Sequence, residues 1–172
     1  SLGNALAHED VTEFGARIRR FLKLTDDEPI DITAEPKIDG LSISLRYEKG
    51  RLVQAATRGD GHEGENVTRN VETIAGIPHR VDANDVPDVF EVRGEIFMEN
   101  EAFAKLNEER DEAGEAAFIN PRNATAGTLN QLDPKLVESR PLDCIFHSYG
   151  QVDGAPYATI SEFQETLEAY GL

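Results

Sequence analysis

Apolar positions recur along this chain with two different periods, and the periods separate helices from strands. From Asp10 onward, Val11, Phe14, Ile18, Phe21 and Leu22 fall at helical spacing. That predicts an amphipathic helix ending near Leu24, with Asp10 as its N-cap and Glu13 three residues on. Leu41, Ile43, Leu45 and Tyr47 instead alternate with Ser42, Ser44, Arg46 and Glu48, the period of two of a half-buried strand. Lys49-Gly50 supplies a turn into Arg51–Arg58, so 41–58 reads as a β-hairpin. Gly59-Asp60-Gly61-His62-Glu63-Gly64 carries too much glycine and charge for either regular element and reads as a loop.

The later segments follow the same logic. The pattern predicts a short helix around Val67–Ile74, a strand over Val89–Phe97, and a charged helix over Glu99–Ala113 with Phe103 and Leu106 inward. A shorter helix is expected within Pro121–Gln131, where proline at the first position costs no hydrogen bond. Leu142–Tyr149 reads as a strand, and Ser161-Glu162-Phe163-Gln164 as a capping box opening a last helix with Ile160, Phe163, Leu167 and Tyr170 in register. Strands joined by a tight turn and mixed with helices of varied length imply α+β with antiparallel sheet. No internal repeat and no linker is visible.

Composition narrows the class. The 172 residues are 39% apolar and 29% charged, enough for a core and unlike a disordered or low-complexity chain. No stretch approaches the roughly 18 apolar residues of a membrane span, and no signal-peptide pattern opens the chain, so no membrane partner is expected. The single cysteine, Cys144, cannot pair internally, which fits a reducing cytoplasm. The only methionine is Met98, so the chain reads as processed or cut from a longer polypeptide.

The net charge of −16 would repel a polyanion if it were spread evenly. It is not. Residues 81–118 hold 12 acidic against 3 basic groups, whereas 37–80 hold 6 against 7 and 119–150 hold 3 against 3. A polyanion would meet the two balanced stretches. Only 5 of the 17 basic residues are lysine, a balance that also suits hydration in concentrated salt.

Four segments carry candidate chemistry. In Glu35-Pro36-Lys37-Ile38-Asp39-Gly40 an extended chain would put Glu35, Lys37 and Asp39 on one side, with Gly40 allowing a sharp bend. A lysine is a nucleophile only without its proton, and flanking carboxylates oppose that, so a metal ion or an arginine would have to offset them; taken alone, such a string is more often a surface row of ion pairs. Ala56-Thr57-Arg58-Gly59-Asp60-Gly61 places an arginine at the hairpin end, suited to a phosphate or sugar edge. Glu91-Val92-Arg93-Gly94-Glu95 puts three charges on one strand face, either a lined cleft or a solvated surface. Asn120-Pro121-Arg122-Asn123 opens a helix whose free N–H groups and Arg122 could receive phosphate. The four histidines have no Cys or His partner at ligand spacing, and no phosphate-loop, dinucleotide-fold or nucleophile-elbow motif is present.

In order and spacing these four segments resemble the adenylation (nucleotidyltransferase) domain of the NAD⁺-dependent DNA ligases of bacteria, over essentially the whole chain. Lys37-Ile38-Asp39-Gly40 is similar to the nucleotide-transfer motif shared with ATP-dependent ligases and capping enzymes, and the other three to stretches particular to the NAD⁺-dependent branch. The resemblance implies an antiparallel α+β, ATP-grasp-like nucleotidyltransferase fold and an enzyme of DNA replication and repair, cytoplasmic and monomeric, acting on nicked double-stranded DNA. It implies Lys37 as nucleophile, forming enzyme-AMP from NAD⁺, and Asp39 as orienting Lys37 or helping to bind Mg²⁺. It further implies Glu35 on the adenine, Arg58 on the ribose or phosphate side, Glu95 on the ribose hydroxyls, Ser1 and Leu2 lining the nucleotide pocket, and Arg122 toward DNA.

Three departures accompany the resemblance. Nothing in 150–172 matches the family's later D-G-V-V-x-K stretch and second lysine. The region that grips nicotinamide mononucleotide and the later modules, including the one that binds zinc, are also missing. The chain therefore reads as a partial adenylation domain over residues 1–172, a fragment expected to be inactive alone. Asn130 stands where many relatives carry arginine. The rival readings are an ATP-dependent ligase or capping-type nucleotidyltransferase, and a non-catalytic nucleotide- or partner-binding domain.

Overall fold

A computed structural model describes residues 3–59, 63–154 and 157–172. The chain divides into two compact units, Ser1–Lys37 and Ile38–Leu172, although the sequence shows no linker between them.

The first unit is one helix and an irregular tail. Helix α1 spans His8–Leu22. Its N-cap is Ala7 and not the expected Asp10, because Asp10 sits three residues in and caps from there. The Asp10 carboxylate accepts the N–H of Leu6 at 2.7 Å and of Ala7 at 3.0 Å, which holds its carboxyl below the ordinary range. Lys23 closes the helix at φ 58°, so the end falls within two residues of Leu24. The chain has no regular structure from residue 31 to residue 39. Glu35, Lys37 and Asp39 therefore do not lie on the strand that alternation suggests. Pro36 lacks the N–H a sheet ladder requires and holds the residue before it extended.

The second unit is built on a four-stranded antiparallel sheet in the order β2-β1-β3-β4, with β1 Leu41–Glu48, β2 Arg51–Thr57, β3 Val89–Phe97 and β4 Asp143–Val152. The predicted hairpin forms, its two-residue turn made by Lys49 at φ 49° and Gly50 at φ 75°. Positive φ at both turn positions matches the twist of the flanking strands. Register then sorts the faces. Leu45 pairs with Ala55 and Val92, and Tyr47 with Leu52 and Phe90, all buried. Ser42, Ser44 and Arg46 lie opposite Glu95, Arg93 and Glu91 on the other face.

Helices cover the apolar face. They are α2 Thr68–Val71, α3 Asn100–Glu112, α4 Pro121–Leu129, α5 Pro134–Glu138 and α6 Ile160–Tyr170. The predicted 67–74 helix shrinks to four residues because the chain turns through three-residue hydrogen bonds, Ile74 N–H to Val71 and Ile77 N–H to Ile74, ahead of Pro78. Helix α5 has no counterpart in the sequence prediction. Helix α6 opens at Thr159, whose hydroxyl accepts the Glu162 N–H at 3.1 Å while the Glu162 carboxylate accepts the Ala158 N–H at 2.8 Å. The expected cap, Ser161, falls inside the first turn. Phe163, Leu167 and Tyr170 of α6 are buried, and Tyr170 meets Phe90 edge-on at 5.6 Å, so the last helix closes the core.

Candidate active site

One end of β1 gathers most of the predicted site residues of the second unit. Gly40 is fully packed there. A side chain on it would collide with the Ile96 carbonyl and come within 3.1 Å of Glu95 Cγ, so only glycine lets the chain enter β1 against the end of β3. Two residues on, Ser42 stands directly opposite Glu95, and its hydroxyl donates to Glu95 Oε2 at 2.7 Å. The Ser42 carbonyl accepts the backbone N–H of Arg58, just past β2, at 3.2 Å. Asp39, just before Gly40, pairs with Arg122 of α4 at 3.7 Å. The Asp39–Arg122 pair, the Arg58 backbone and the Ser42-held Glu95 thus lie around the entry of β1, contributed by four separate stretches of chain.

Arg58 and Arg122 each rest on a rigid base. Thr57 is buried, and its hydroxyl accepts the Glu65 N–H at 3.0 Å while its own N–H donates to the Glu65 carbonyl at 3.0 Å. Gly59, at φ 53°, packs against the Glu63 backbone, which closes the base of the loop right behind Arg58. Arg122 follows Pro121 in the first turn of α4, where the Asn120 side chain accepts the Asn123 N–H at 2.8 Å. The body of α4 is fixed by Arg140, which donates to the buried Thr128 hydroxyl at 2.9 Å, and by the Asn70 side chain, which donates to the Leu129 carbonyl at 2.6 Å. Arg58, Asp39 and Arg122 are exposed on this frame. Asn130, the C-cap of α4, is exposed as well.

The second carboxylate of β3 behaves differently. Glu91 accepts from the Ser44 hydroxyl at 2.7 Å, from Arg93 at 3.1 and 3.2 Å, and from the Gln151 N–H at 3.3 Å. Burial would raise its carboxyl, but these donors outweigh burial and hold it below the ordinary value. Glu91 is a compensated, structural acid. On the charged face of 91–95, Glu91 is thus tied into an ionic lattice with Arg93, whereas Glu95 is bonded to Ser42. Ser42, Ser44 and Gln151 are the residues that sequence reasoning missed. The period-two pattern that places 42 and 44 on the polar face was their signal, but nothing in it names their partners.

Glu35 and Lys37 belong to the first unit, where both are exposed. Ser1, Leu2, Asp60 and Gly61 lie outside the described residues. Among the described residues no group of three or more His, Cys, Asp or Glu could hold a metal ion, and no helix is long and apolar enough to cross a membrane. Cys144 is a free thiol on β4, and burial pushes its pKa up.

The family model that matches this chain is the NAD-dependent DNA ligase adenylation domain, over residues 1–172. Among similar proteins, one named DNA ligase from Parvibaculum lavamentivorans is 53% identical over 171 residues, covering 99% of this chain and 24% of the relative. Those of the same name from Methylobacterium nodulans and Azorhizobium caulinodans are 54% and 53% identical, covering 100% of this chain and 21% and 23% of the relatives. The chain thus spans about a fifth to a quarter of the length of the relatives it matches.

Proposed function

Because the chain belongs to the NAD-dependent DNA ligase adenylation domain family, we propose that it carries the nucleotide-transfer chemistry of a DNA ligase that takes AMP from NAD⁺. The observation that supports this best is the placement of the Asp39–Arg122 pair, the Arg58 backbone and Glu95 around the entry of β1, which begins four residues after Lys37 in the chain. The sealing activity is proposed of the complete protein, which acts on nicked double-stranded DNA in replication and repair, as a monomer in the cytoplasm. The 172 residues are its partial adenylation domain, with the ATP-grasp-like nucleotidyltransferase fold, and are inactive alone.

Each residue has a chemical role in this reading. Lys37, once its Nζ has lost a proton, attacks the α-phosphorus of NAD⁺. The new N–P bond forms as the bond to the bridging oxygen breaks and nicotinamide mononucleotide leaves. The AMP held on Lys37 passes to the 5′-phosphate at the nick, and the 3′-hydroxyl then displaces it to close the strand. Glu35 contacts the adenine, Glu95 accepts hydrogen bonds from the ribose hydroxyls, and Arg58 neutralises charge on the phosphate or ribose side. Ser1 and Leu2 line the same nucleotide pocket. Arg122 exchanges its long, exposed contact with Asp39 for a DNA phosphate, an exchange with little cost because such surface pairs contribute only about 0–1 kcal/mol.

Magnesium is commonly held by one or two carboxylates together with substrate phosphates. Asp39 is the carboxylate we assign to it, and the ion would supply charge neutralisation there. Zinc belongs to a different module of the complete protein.

The test is a nick-sealing assay on the complete protein with a labelled duplex. The expected result is sealing with NAD⁺, none with ATP, and none from Lys37→Ala. Sealing by that variant would remove Lys37 as nucleophile, and sealing with ATP alone would remove the NAD⁺ assignment.

A further inference from the structure

Glu95 and Glu91 stand two residues apart on the same face of β3, yet their surroundings are unlike. Glu91 is held by three donor residues, one of them cationic. Among the described residues the Glu95 carboxylate receives a single, neutral hydrogen bond, from Ser42. A carboxylate offers about four acceptor positions, so Ser42 occupies one and fixes the side chain without consuming its capacity to bind. A glutamate has three rotatable bonds, and ordering it on ligand binding costs entropy unless it is already anchored. Ser42 supplies that anchor from the facing position of the β1–β3 ladder, and its carbonyl simultaneously fixes the Arg58 backbone. Gly40 packs 3.1 Å, by a notional Cβ, from the Glu95 Cγ, so the glutamate stem is confined on that side too.

We propose that Ser42 is a positioning residue for nucleotide binding: its hydroxyl holds the Glu95 carboxylate, and its carbonyl the Arg58 backbone, in the geometry that receives the ribose of the AMP donor. This rests on the reading of Glu95 as a ribose contact. It makes a distinct claim, namely that Ser42 acts only through Glu95 and Arg58 and touches no reacting atom.

The test is single-turnover adenylation of the complete protein across a range of NAD⁺ concentrations, for wild type, Ser42→Ala, Ser42→Thr, Glu95→Ala and the Ser42→Ala/Glu95→Ala double variant. Ser42→Ala should raise the half-saturating NAD⁺ concentration about tenfold, the usual effect of losing one hydrogen bond to a charged group, with the maximal rate within about twofold. Ser42→Thr keeps the hydroxyl and should restore the wild-type value. In the Glu95→Ala background, Ser42→Ala should have little further effect, whereas a merely structural serine would weaken both backgrounds equally. Should Ser42→Ala fail to fold, Ser42→Cys, with a weak donor of similar size, carries the same expectation. An impaired Glu95→Ala beside an unaffected Ser42→Ala overturns the proposal alone, as does additivity in the double variant. An unaffected Glu95→Ala overturns the reading beneath it, and the proposal falls with it.

Discussion

Replacing Gly94 by alanine puts one methyl group where the structure has no room for it. Gly94 lies in the centre of β3, buried, between Ile43 of β1 and Phe146 of β4. The β3–β4 register shifts between Arg93 and Gly94, so His147 is left without a partner and the Ile145 carbonyl is carried over Gly94. A Cβ there would stand 2.5 Å from that oxygen and 2.9 Å from Phe146 Cδ1, whereas real contacts essentially never fall below 3.0 Å. The ring edge can turn, but the carbonyl belongs to a strand and can retreat only if β4 moves by about half an ångström along its paired length. Overpacking of this kind costs about 1–3 kcal/mol, and a backbone obstacle places Gly94→Ala near the upper end, about 3 kcal/mol. For a chain of this size that lowers the melting temperature by about 6–12 °C.

Gly127→Ala is the control. Its nearest obstacle, at 2.9 Å, is Cε1 of the Phe118 ring, and alanine adds helix propensity in the last turn of α4, up to about 1 kcal/mol in its favour. Thermal melts followed by circular dichroism on both variants decide the matter. A drop of several degrees for Gly94→Ala with Gly127→Ala near wild type is expected. Equal melting temperatures for Gly94→Ala and wild type would refute the packing argument.

Three further outcomes are expected. Glu91 is held below its unfolded value of 4.5, so the stability it contributes is present above that pH and is lost as pH falls through the lower, folded value. In urea melts Glu91→Gln should therefore be less stable than wild type at neutral pH, with the gap narrowing below pH 4.5, and a gap independent of pH would contradict this. Thr159→Ala removes the hydroxyl that caps α6 and should cost about 1 kcal/mol, read as a lower denaturant midpoint with an unchanged slope. Added salt should raise the melting temperature by screening the 12 acidic groups of 81–118, and a flat or falling response would dismiss both the repulsion and the high-salt reading.

What the amino-acid pattern reveals here follows from how each feature is encoded. The β1–β2 hairpin and β3 are legible because one buried face imposes a period of two on every residue, and the bounds of β3 come out unchanged. Helix α3 is legible for the same reason at the helical period, differing by one residue at each end. Caps are not, since Asp10 and Glu162 act from three residues inside their helices while Ala7 and Thr159 hold the cap positions. Helix α5, five residues long, is too short to show a period. The site divides in the same way. Gly40 and Arg58 are visible as local motifs, but the Ser42–Glu95 pair and the Asp39–Arg122 contact join positions 53 and 83 residues apart, and only the sheet register and the docking of α4 bring them together.

Lys37 as the AMP acceptor is tested most directly by the intact mass of the complete protein after incubation with NAD⁺ or with ATP, beside Lys37→Ala and beside the 172-residue chain. The expected result is the mass of one added AMP from NAD⁺ only, located on Lys37 by peptide mapping, and no addition to Lys37→Ala or to the shorter chain. AMP on a residue other than Lys37, or no addition to the complete protein from NAD⁺, would contradict it.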